Sequence, residues 1–301
     1  MIYHLRHRTT FEYSNPVTFV YNVLRLKPRT LPWQQVHSTR LSILPEPAVL
    51  AERTDYFGNT VTFCNIEMKH DTMQILMESV VEVQPRSLVG TLKGISWDTV
   101  RERLRGARSA EGLDAFQFCF DSAAVSRLPE SEAYCRPSCK PGASAHDVAM
   151  DLMHRIHSDF IFDSTATTVS TPVAEVLKNR RGVCQDFAHL MISCLRSVGI
   201  PTRYNSGYIQ TTPPPGRPRL EGADASHAWV GVYCPVNGWL DLDPTNNKIA
   251  DDQFITIGWG RDYQDISPVS GVMLGGGRHQ VRAEVDMIPE SELQQLQQQQ
   301  Q

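Results

Sequence analysis

The residues whose types and spacing fit covalent chemistry are Cys184, His227 and Asp243. Cys184 lies in the run Arg181-Gly182-Val183-Cys184-Gln185-Asp186, which opens a segment of helical periodicity. At a helix N-terminus the unpaired backbone N–H groups and the helix dipole stabilise negative charge. A thiol placed there ionises with a pKa of roughly 3.5–7.5 instead of about 8.5, which makes it a nucleophile near neutral pH. Gly182 lets the backbone approach closely just before the thiol, and the N–H of Cys184 is a natural donor for a developing oxyanion. His227 follows 43 residues later in the strand-like run Ser226-His227-Ala228-Trp229-Val230. An imidazole on a firm strand facing a helix N-terminus can take the thiol proton and return it to a leaving group. Asp243 stands 16 residues further on, in Asp241-Leu242-Asp243-Pro244-Thr245. A hairpin would bring its carboxylate beside the imidazole, fixing the tautomer and supporting the cation. Asp241 competes for that place, because the strand period of two sets both acids on one face.

These residues need a helix and a sheet to hold them. After Cys184, the residues Phe187, Leu190, Met191, Cys194, Leu195 and Val198 follow the 3.6 period until Gly199 and Pro201 stop it. Extended runs at 203–210, 226–234 and 238–243 come next, the first two separated by a Pro/Gly stretch at 211–218 that reads as flexible. Upstream, Ser96 and Ser144 are placed to cap helices, and Thr171-Pro172 to start a short one. The stretch 126–143, rich in Pro, Ser and Cys, reads as a long loop. The first 85 residues read as short strands with Pro and Gly punctuation, which suggests a β-sandwich without a catalytic constellation. The pattern is therefore α+β: a β-sandwich domain over 1–87, a catalytic domain over 95–290, and a glutamine-rich tail over 291–301 that reads as a frayed helix or as disordered.

The words around the three residues carry further information. Arg180-Arg181-Gly182-Val183-Cys184-Gln185-Asp186-Phe187-Ala188-His189, Gly199-Ile200-Pro201-Thr202-Arg203, Ser206-Gly207-Tyr208, His227-Ala228-Trp229 and the stretch from Trp239 to Thr245 resemble the transglutaminase-like cysteine enzyme superfamily. Within it the chain is similar to bacterial members with an extra N-terminal β-domain; Thr54-Asp55-Tyr56-Phe57-Gly58-Asn59 and Gly260-Arg261-Asp262-Tyr263 fit that subgroup. The resemblance implies a papain-like core, with the nucleophile on a helix packed against an antiparallel sheet. It implies Cys184 as nucleophile, His227 as base, and Asp243, at the Asp-Pro-Thr position, as the orienting acid. Gln185, Asp186, Tyr208 and Trp229 are candidates to line the site or serve the oxyanion. The expected activity is thiol-dependent hydrolysis of an amide or isopeptide bond in a peptide, polypeptide or poly-amino-acid substrate. Acyl transfer to an amine and a non-catalytic binding scaffold are the alternatives. No cofactor or metal is required by this chemistry.

Composition narrows the remaining classes. Of 301 residues, 41% are hydrophobic and 21% charged, an ordinary globular balance that excludes wholesale disorder. A net charge of −4 gives no general footprint for nucleic acid. No apolar run approaches the length of a membrane-spanning helix, so no membrane partner is expected. The start, with Arg6 and Arg8 but no apolar segment behind them, does not read as a signal peptide. Seven cysteines then read as reduced thiols in a cytoplasmic protein. Cys64, Cys194 and Cys234 fall on apolar segments and read as core. Cys135 and Cys139 have metal-like spacing without a matching second pair, and read as thiols on a mobile loop. His154 and His157 read as a solvated helix face, His189 as helix packing, and Gly275-Gly276-Gly277 as a turn. Sequence leaves the oligomeric state open.

Overall fold

The computed structural model describes residues 1–86, 94–211 and 225–299. Its first strand, β1 (Ile2–Leu24), organises the N-terminal region. Tyr3, Leu5, His7 and Thr9 are buried on one phase of the alternation, and Val20, Asn22 and Leu24 on the other. The change of phase follows an irregularity between Val17 and Phe19. One inserted residue there turns the opposite face of the strand inward. The strands β2 (Gln34–Leu44), β3 (Val49–Thr54), β4 (Thr60–Ile66) and β5 (His70–Val83) complete the order β2-β5-β1-β4-β3. The N-terminal region is thus strand-rich as expected, with its strands joined through β1 into a single hydrogen-bonded sheet.

Helices follow. They are α1 (Trp97–Arg105), α2 (Ala110–Phe116), α3 (Pro129–Cys135) and α4 (Ala145–Asp159). Ser144 caps α4 through a reciprocal box with Asp147, and Val148, Leu152 and Ile156 are buried along it. The stretch expected to be a long loop contains α3 and a 3-10 turn at Arg136–Ser138. Pro129 at its start and two glutamates in the first turn, Glu130 and Glu132, favour the helix. Seven residues are too short to show a period, which hid α3 among the prolines and serines. Cys135 is consequently a buried core thiol and not part of a mobile loop; it hydrogen-bonds Cys139 and shares one core with Leu190 and Cys194.

Next come β6 (Ile161–Phe162), α5 (Val173–Asn179), β7 (Arg181–Gly182) and α6 (Cys184–Ser197). The following strands are β8 (Thr202–Ile209), β9 (Ala225–Cys234), β10 (Gly238–Asp243), β11 (Lys248–Ile249) and β12 (Phe254–Gly260), arranged as an antiparallel sheet in the order β11-β10-β9-β8-β12. Ala228, Val230, Val232 and Tyr204 share one core with Leu190, Met191 and Cys194 of α6. The expected arrangement, a helix-borne cysteine packed on an antiparallel sheet, is present.

The C-terminal boundary differs from the sequence reading. After α7 (Tyr263–Ile266), strands β13 (Val269–Gly275) and β14 (His279–Pro289) leave this sheet and pair with β1. Residues 269–289, expected with the second domain, instead pair in the N-terminal sheet, where Val285 and Met287 join its core. Gly275, Gly276 and Gly277 all adopt positive φ and make the turn between the two strands. Of the two forms expected for the tail, the helical one is present: α8 spans Glu290–Gln299. Glutamine is a fair helix former, and Glu290 and Glu292 suit the positive end of the dipole.

The two sheets are held by specific contacts. The Gln34 amide both donates to the Thr256 carbonyl and accepts from its N–H, each at 2.8 Å. Asn59 does the same for Trp259, at 2.8 and 3.0 Å. The Arg203 guanidinium lies between the Trp239 and Trp259 rings, and Arg29 covers Trp259.

Candidate active site

Cys184 is the first residue of α6 and is half-buried. Its N–H has no carbonyl four residues earlier within the helix, so it points out from the positive end of the dipole. Asp186 caps this end: its Oδ2 accepts from the Val183 N–H at 2.8 Å and from the Thr167 hydroxyl at 2.6 Å. Burial raises the Asp186 pKa, against the pull of those two donors. A side chain at position 182 would collide with that carboxylate, since a Cβ on Gly182 would sit 2.7 Å from Asp186 Oδ2. The Gly-Val-Cys-Gln-Asp run is therefore a folded unit in which glycine makes room for the cap.

His227 stands on β9 opposite Gly207 of β8. Its Nε2–H donates to Asp243 Oδ2 at 2.7 Å, and the imidazole also hydrogen-bonds the Cys184 thiol. With Nε2 committed to the acid, Nδ1 is the nitrogen left for sulfur. Burial lowers the His227 pKa, but the Asp243 carboxylate and the Cys184 sulfur outweigh it, and the net result is a rise to about 10. Asp243, at the end of β10, is fully buried. It accepts from the Thr245 N–H at 2.9 Å, the Asn246 N–H at 3.3 Å and the Asn246 side-chain amide at 2.7 Å. Burial pushes its pKa up, and the bonds from His227 and Asn246 reverse this and hold it below the usual carboxylate value.

The structure separates the two competing acids. Asp243 meets the imidazole, whereas Asp241 accepts from Arg86 at 2.6 Å and Asn205 at 2.9 Å, with Arg203 at 3.8 Å. Among the other expected site residues, Trp229 stacks beside His227 with ring centroids 6.2 Å apart, and Phe254 packs edge-on against it. Asp186 caps the helix that begins at Cys184. The Gln185 amide donates to the Val169 carbonyl at 3.0 Å, which ties the segment before α5 to the helix start. Tyr208 lies away from the thiol in the core of the N-terminal sheet, where its hydroxyl hydrogen-bonds His7 Nδ1 at 2.7 Å. Position 208 pairs with Ser226 instead of His227, so period two sends its side chain to the opposite face from the imidazole.

His189 is buried, as helix packing requires, and its Nε2 accepts from the Tyr263 N–H at 3.1 Å. Burial lowers its pKa to about 4. Sequence reasoning missed Asn246, which shares Asp243 with the imidazole. The signal was the run Asp243-Pro244-Thr245-Asn246, because an aspartate that accepts the N–H two residues on makes an Asx turn. Residues 212–218 of the expected flexible stretch lie outside the described residues. Among the described residues no cluster of metal-ligating side chains is assembled.

The chain is similar to known proteins in sequence and in fold. Residues 3–82 match the bacterial transglutaminase-like N-terminal region, and residues 133–244 match the transglutaminase-like superfamily model, a span that includes all three residues. An uncharacterized protein of Mycobacterium tuberculosis strain H37Rv is 37% identical over 295 residues, 95% of this chain and 92% of its own. A protein-glutamine gamma-glutamyltransferase of Pseudomonas aeruginosa is 35% identical over 88 residues, 29% of this chain and 11% of its own. The crystal structure of a Cytophaga hutchinsonii protein, provisionally designated a cysteine protease, superposes with a TM-score of 0.74. The match covers 96% of this chain and 91% of that one at 18% identity, a likeness of fold. The fold, the two matched regions and the full-length mycobacterial relative together make this chain a member of the transglutaminase-like superfamily, in the form that carries the bacterial N-terminal region.

Proposed function

We propose that this protein is a thiol enzyme that opens an amide or isopeptide bond of a peptide or polypeptide through an acyl-enzyme on Cys184. The observation that carries the reading is the buried imidazole of His227, bound through Nε2 at 2.7 Å to Asp243 and hydrogen-bonded to the Cys184 thiol. His227 takes the thiol proton on Nδ1, and Cys184 sulfur attacks the substrate carbonyl. The oxyanion that forms is stabilised at the N–H of Cys184 and the positive end of α6. The C–N bond then breaks, and the departing amine takes the proton from Nδ1. Water, deprotonated by the same nitrogen, attacks the thioester, and the thiol leaves. Asp243 holds the tautomer and supports the imidazolium throughout. The test is the pH dependence of iodoacetamide labelling at each cysteine, in wild type and His227→Ala. An activated Cys184 labels faster than Cys139 below the ordinary thiol pKa of about 8.5, and the advantage disappears without His227. A Cys184 no faster than Cys139 at any pH would refute the reading.

The 88-residue match to a glutamyltransferase favours a second reading, in which an amine takes the acyl group from the same thioester. Incubating a glutamine peptide with and without a primary amine separates the two, because hydrolysis yields the glutamate peptide and transfer yields the amine adduct. The reading places the enzyme in a reducing, cytoplasmic compartment, in keeping with seven free thiols of which five are buried. Fractionation of the native cell tests that assignment.

A further inference from the structure

Four donors converge on the buried Asp243 carboxylate. Oδ1 accepts from the backbone N–H groups of Thr245 at 2.9 Å and Asn246 at 3.3 Å; Oδ2 accepts from His227 Nε2–H and from the Asn246 side-chain amide, both at 2.7 Å. They fill the roughly four lone-pair sites of an ionised carboxylate. Asn246 Nδ2 and His227 Nε2 lie 3.5 Å apart. Both nitrogens carry hydrogen here, so they do not bond each other but share one oxygen. That contact also sets the amide's orientation, because its carbonyl turned toward Oδ2 would put two acceptors face to face.

Asn246 is an exposed residue, whereas Asp243 and His227 are buried. Its amide is thus the solvent-side partner of the acid–imidazole bond. The turn that carries it is fixed by α4. Asn247 adopts a left-handed φ of 53°, and its side-chain oxygen accepts from the His154 ring. His157 Nδ1–H donates to the Thr245 carbonyl at 2.9 Å. His154 and His157 are three residues apart and therefore neighbours on one helix face. That face, read from sequence as solvated, meets residues 245–247.

Resting on the thiol-enzyme reading above, we infer that Asn246 is a positioning residue for the Cys184–His227 pair and acts through Asp243. The backbone holds Oδ1, and the Asn246 amide holds Oδ2, which keeps the carboxylate in line with Nε2–H. The same donor favours the ionised form of an acid buried away from water. The ionised acid in turn supports the imidazolium that forms when the thiol gives up its proton.

Two substitutions at this exposed position separate the donor from the space it fills. Asn246→Leu keeps a similar volume, gives Oδ2 no donor and shuts out water; Asn246→Ala lets water take the amide's place. The readout is the pH dependence of iodoacetamide labelling at Cys184, with Cys139 as internal reference and His227→Ala as the limiting loss. Asn246→Leu should raise the apparent Cys184 pKa by about one unit and slow its labelling about tenfold below that pKa, the size of a hydrogen bond to an ionised group. Asn246→Ala should lose less. A packing role alone predicts the opposite order, since Leu fills the volume that Ala vacates. A wild-type labelling profile in Asn246→Leu, or a greater loss in Asn246→Ala, would overturn the inference.

A second measurement keeps the two readings separate. In Cys184→Ala protein the His227 pKa, followed by histidine-selective NMR, should fall by about one unit when Asn246→Leu is added. A wild-type Cys184 no faster than Cys139, with that fall present, sinks the thiol enzyme and leaves Asn246 its role. A fast Cys184 that Asn246→Leu does not slow, with no fall at His227, does the reverse.

Discussion

Asp241 and Asp243 lie two residues apart on one strand, both buried, and their surroundings give them opposite work. Asp241 is surrounded by Arg86, Arg203 and Asn205, and the Arg86 contact ties the end of the N-terminal segment to the core sheet. Its strand partner is Gly231, where a Cβ would come 3.0 Å from Asp241 Oδ1 and 2.8 Å from Arg203 Nε. Glycine there lets the ion cluster close. An arginine cannot exchange its proton in the neutral range, so this acid can only hold structure. Asp243 faces an imidazole, which can gain and lose a proton, and its remaining lone pairs are filled by the backbone N–H groups of residues 245 and 246. Residue type and strand face were the same; the titratable partner makes the difference.

Under the thiol-enzyme proposal, the largest effect should come from breaking the Asp243 side of that pair. Asp243→Asn presents an amide to Nε2, favours the wrong imidazole tautomer, and should lower kcat on the order of 10⁴-fold, as loss of the orienting acid does in other triads. Asp241→Asn, assayed at the same low temperature, should stay within a few-fold of wild type. Comparable losses in both variants, from single-turnover rates on one substrate, would dissolve the distinction. Stability should reverse the order. Asp241→Asn leaves Arg203 buried without its counter-charge, and removing one partner of a buried ion pair costs roughly 3–5 kcal/mol. Urea denaturation of the two variants measures this; an Asp241→Asn midpoint equal to wild type would show that the cluster contributes no net stability.

How far sequence reaches is visible in the same pair. The period-two rule set both acids on one face; the Asp-Pro-Thr resemblance then singled out Asp243, and the physical reason lies in which side chains the neighbouring strands bring across. The placement of Cys184 at a helix start and of His227 on a strand was legible because both elements carry local signals, namely Gly182 before the thiol and the apolar alternation around Ala228, Val230 and Val232. Tyr208 was misassigned as site-lining because its register against Ser226 is a tertiary fact. The return of β13 and β14 to β1 was likewise hidden: two strands and a glycine turn look the same whichever sheet they join. Asn246 was missed although its Asx-turn pattern was present in the chain.

A smaller and more specific effect concerns the imidazole itself. Part of the rise of the His227 pKa to about 10 comes from the Cys184 sulfur. Cys184→Ala should therefore lower the His227 pKa while leaving the Asp243 bond in place, and a histidine-selective NMR titration reads it directly. A pKa unchanged in that variant would mean that Asp243 alone sustains the cation.

The smallest effect contrasts His227 with two buried histidines whose burial is not outweighed, His7 and His189, although the Asp262 carboxylate opposes it at His189. His7 hydrogen-bonds the Tyr208 hydroxyl at 2.7 Å and the Thr9 hydroxyl at 3.1 Å, and burial lowers its pKa to about 4; His189 is lowered to about 4 as well. The signs are opposite. A histidine with a raised folded pKa contributes stability that is complete below its unfolded value of about 6.5 and is lost as pH rises through the folded value. For His227 that loss comes on the alkaline side, approaching pH 10. His7 and His189 act at the acid end. Between about pH 6.5 and 4 the unfolded chain takes up protons that the folded chain refuses, so stability falls as pH drops. His7→Gln keeps hydrogen-bonding capacity toward Tyr208 and Thr9 and removes one titrating site. It should flatten the acid limb of the stability–pH curve, sparing roughly 1–3 kcal/mol at pH 4, while the alkaline limb stays where His227 puts it. Denaturant midpoints collected from pH 4 to 10 test both limbs in one series. An acid limb as steep in His7→Gln as in wild type would mean that the neutral contact between His7 and Tyr208 is not what ties the two sheets together against acid.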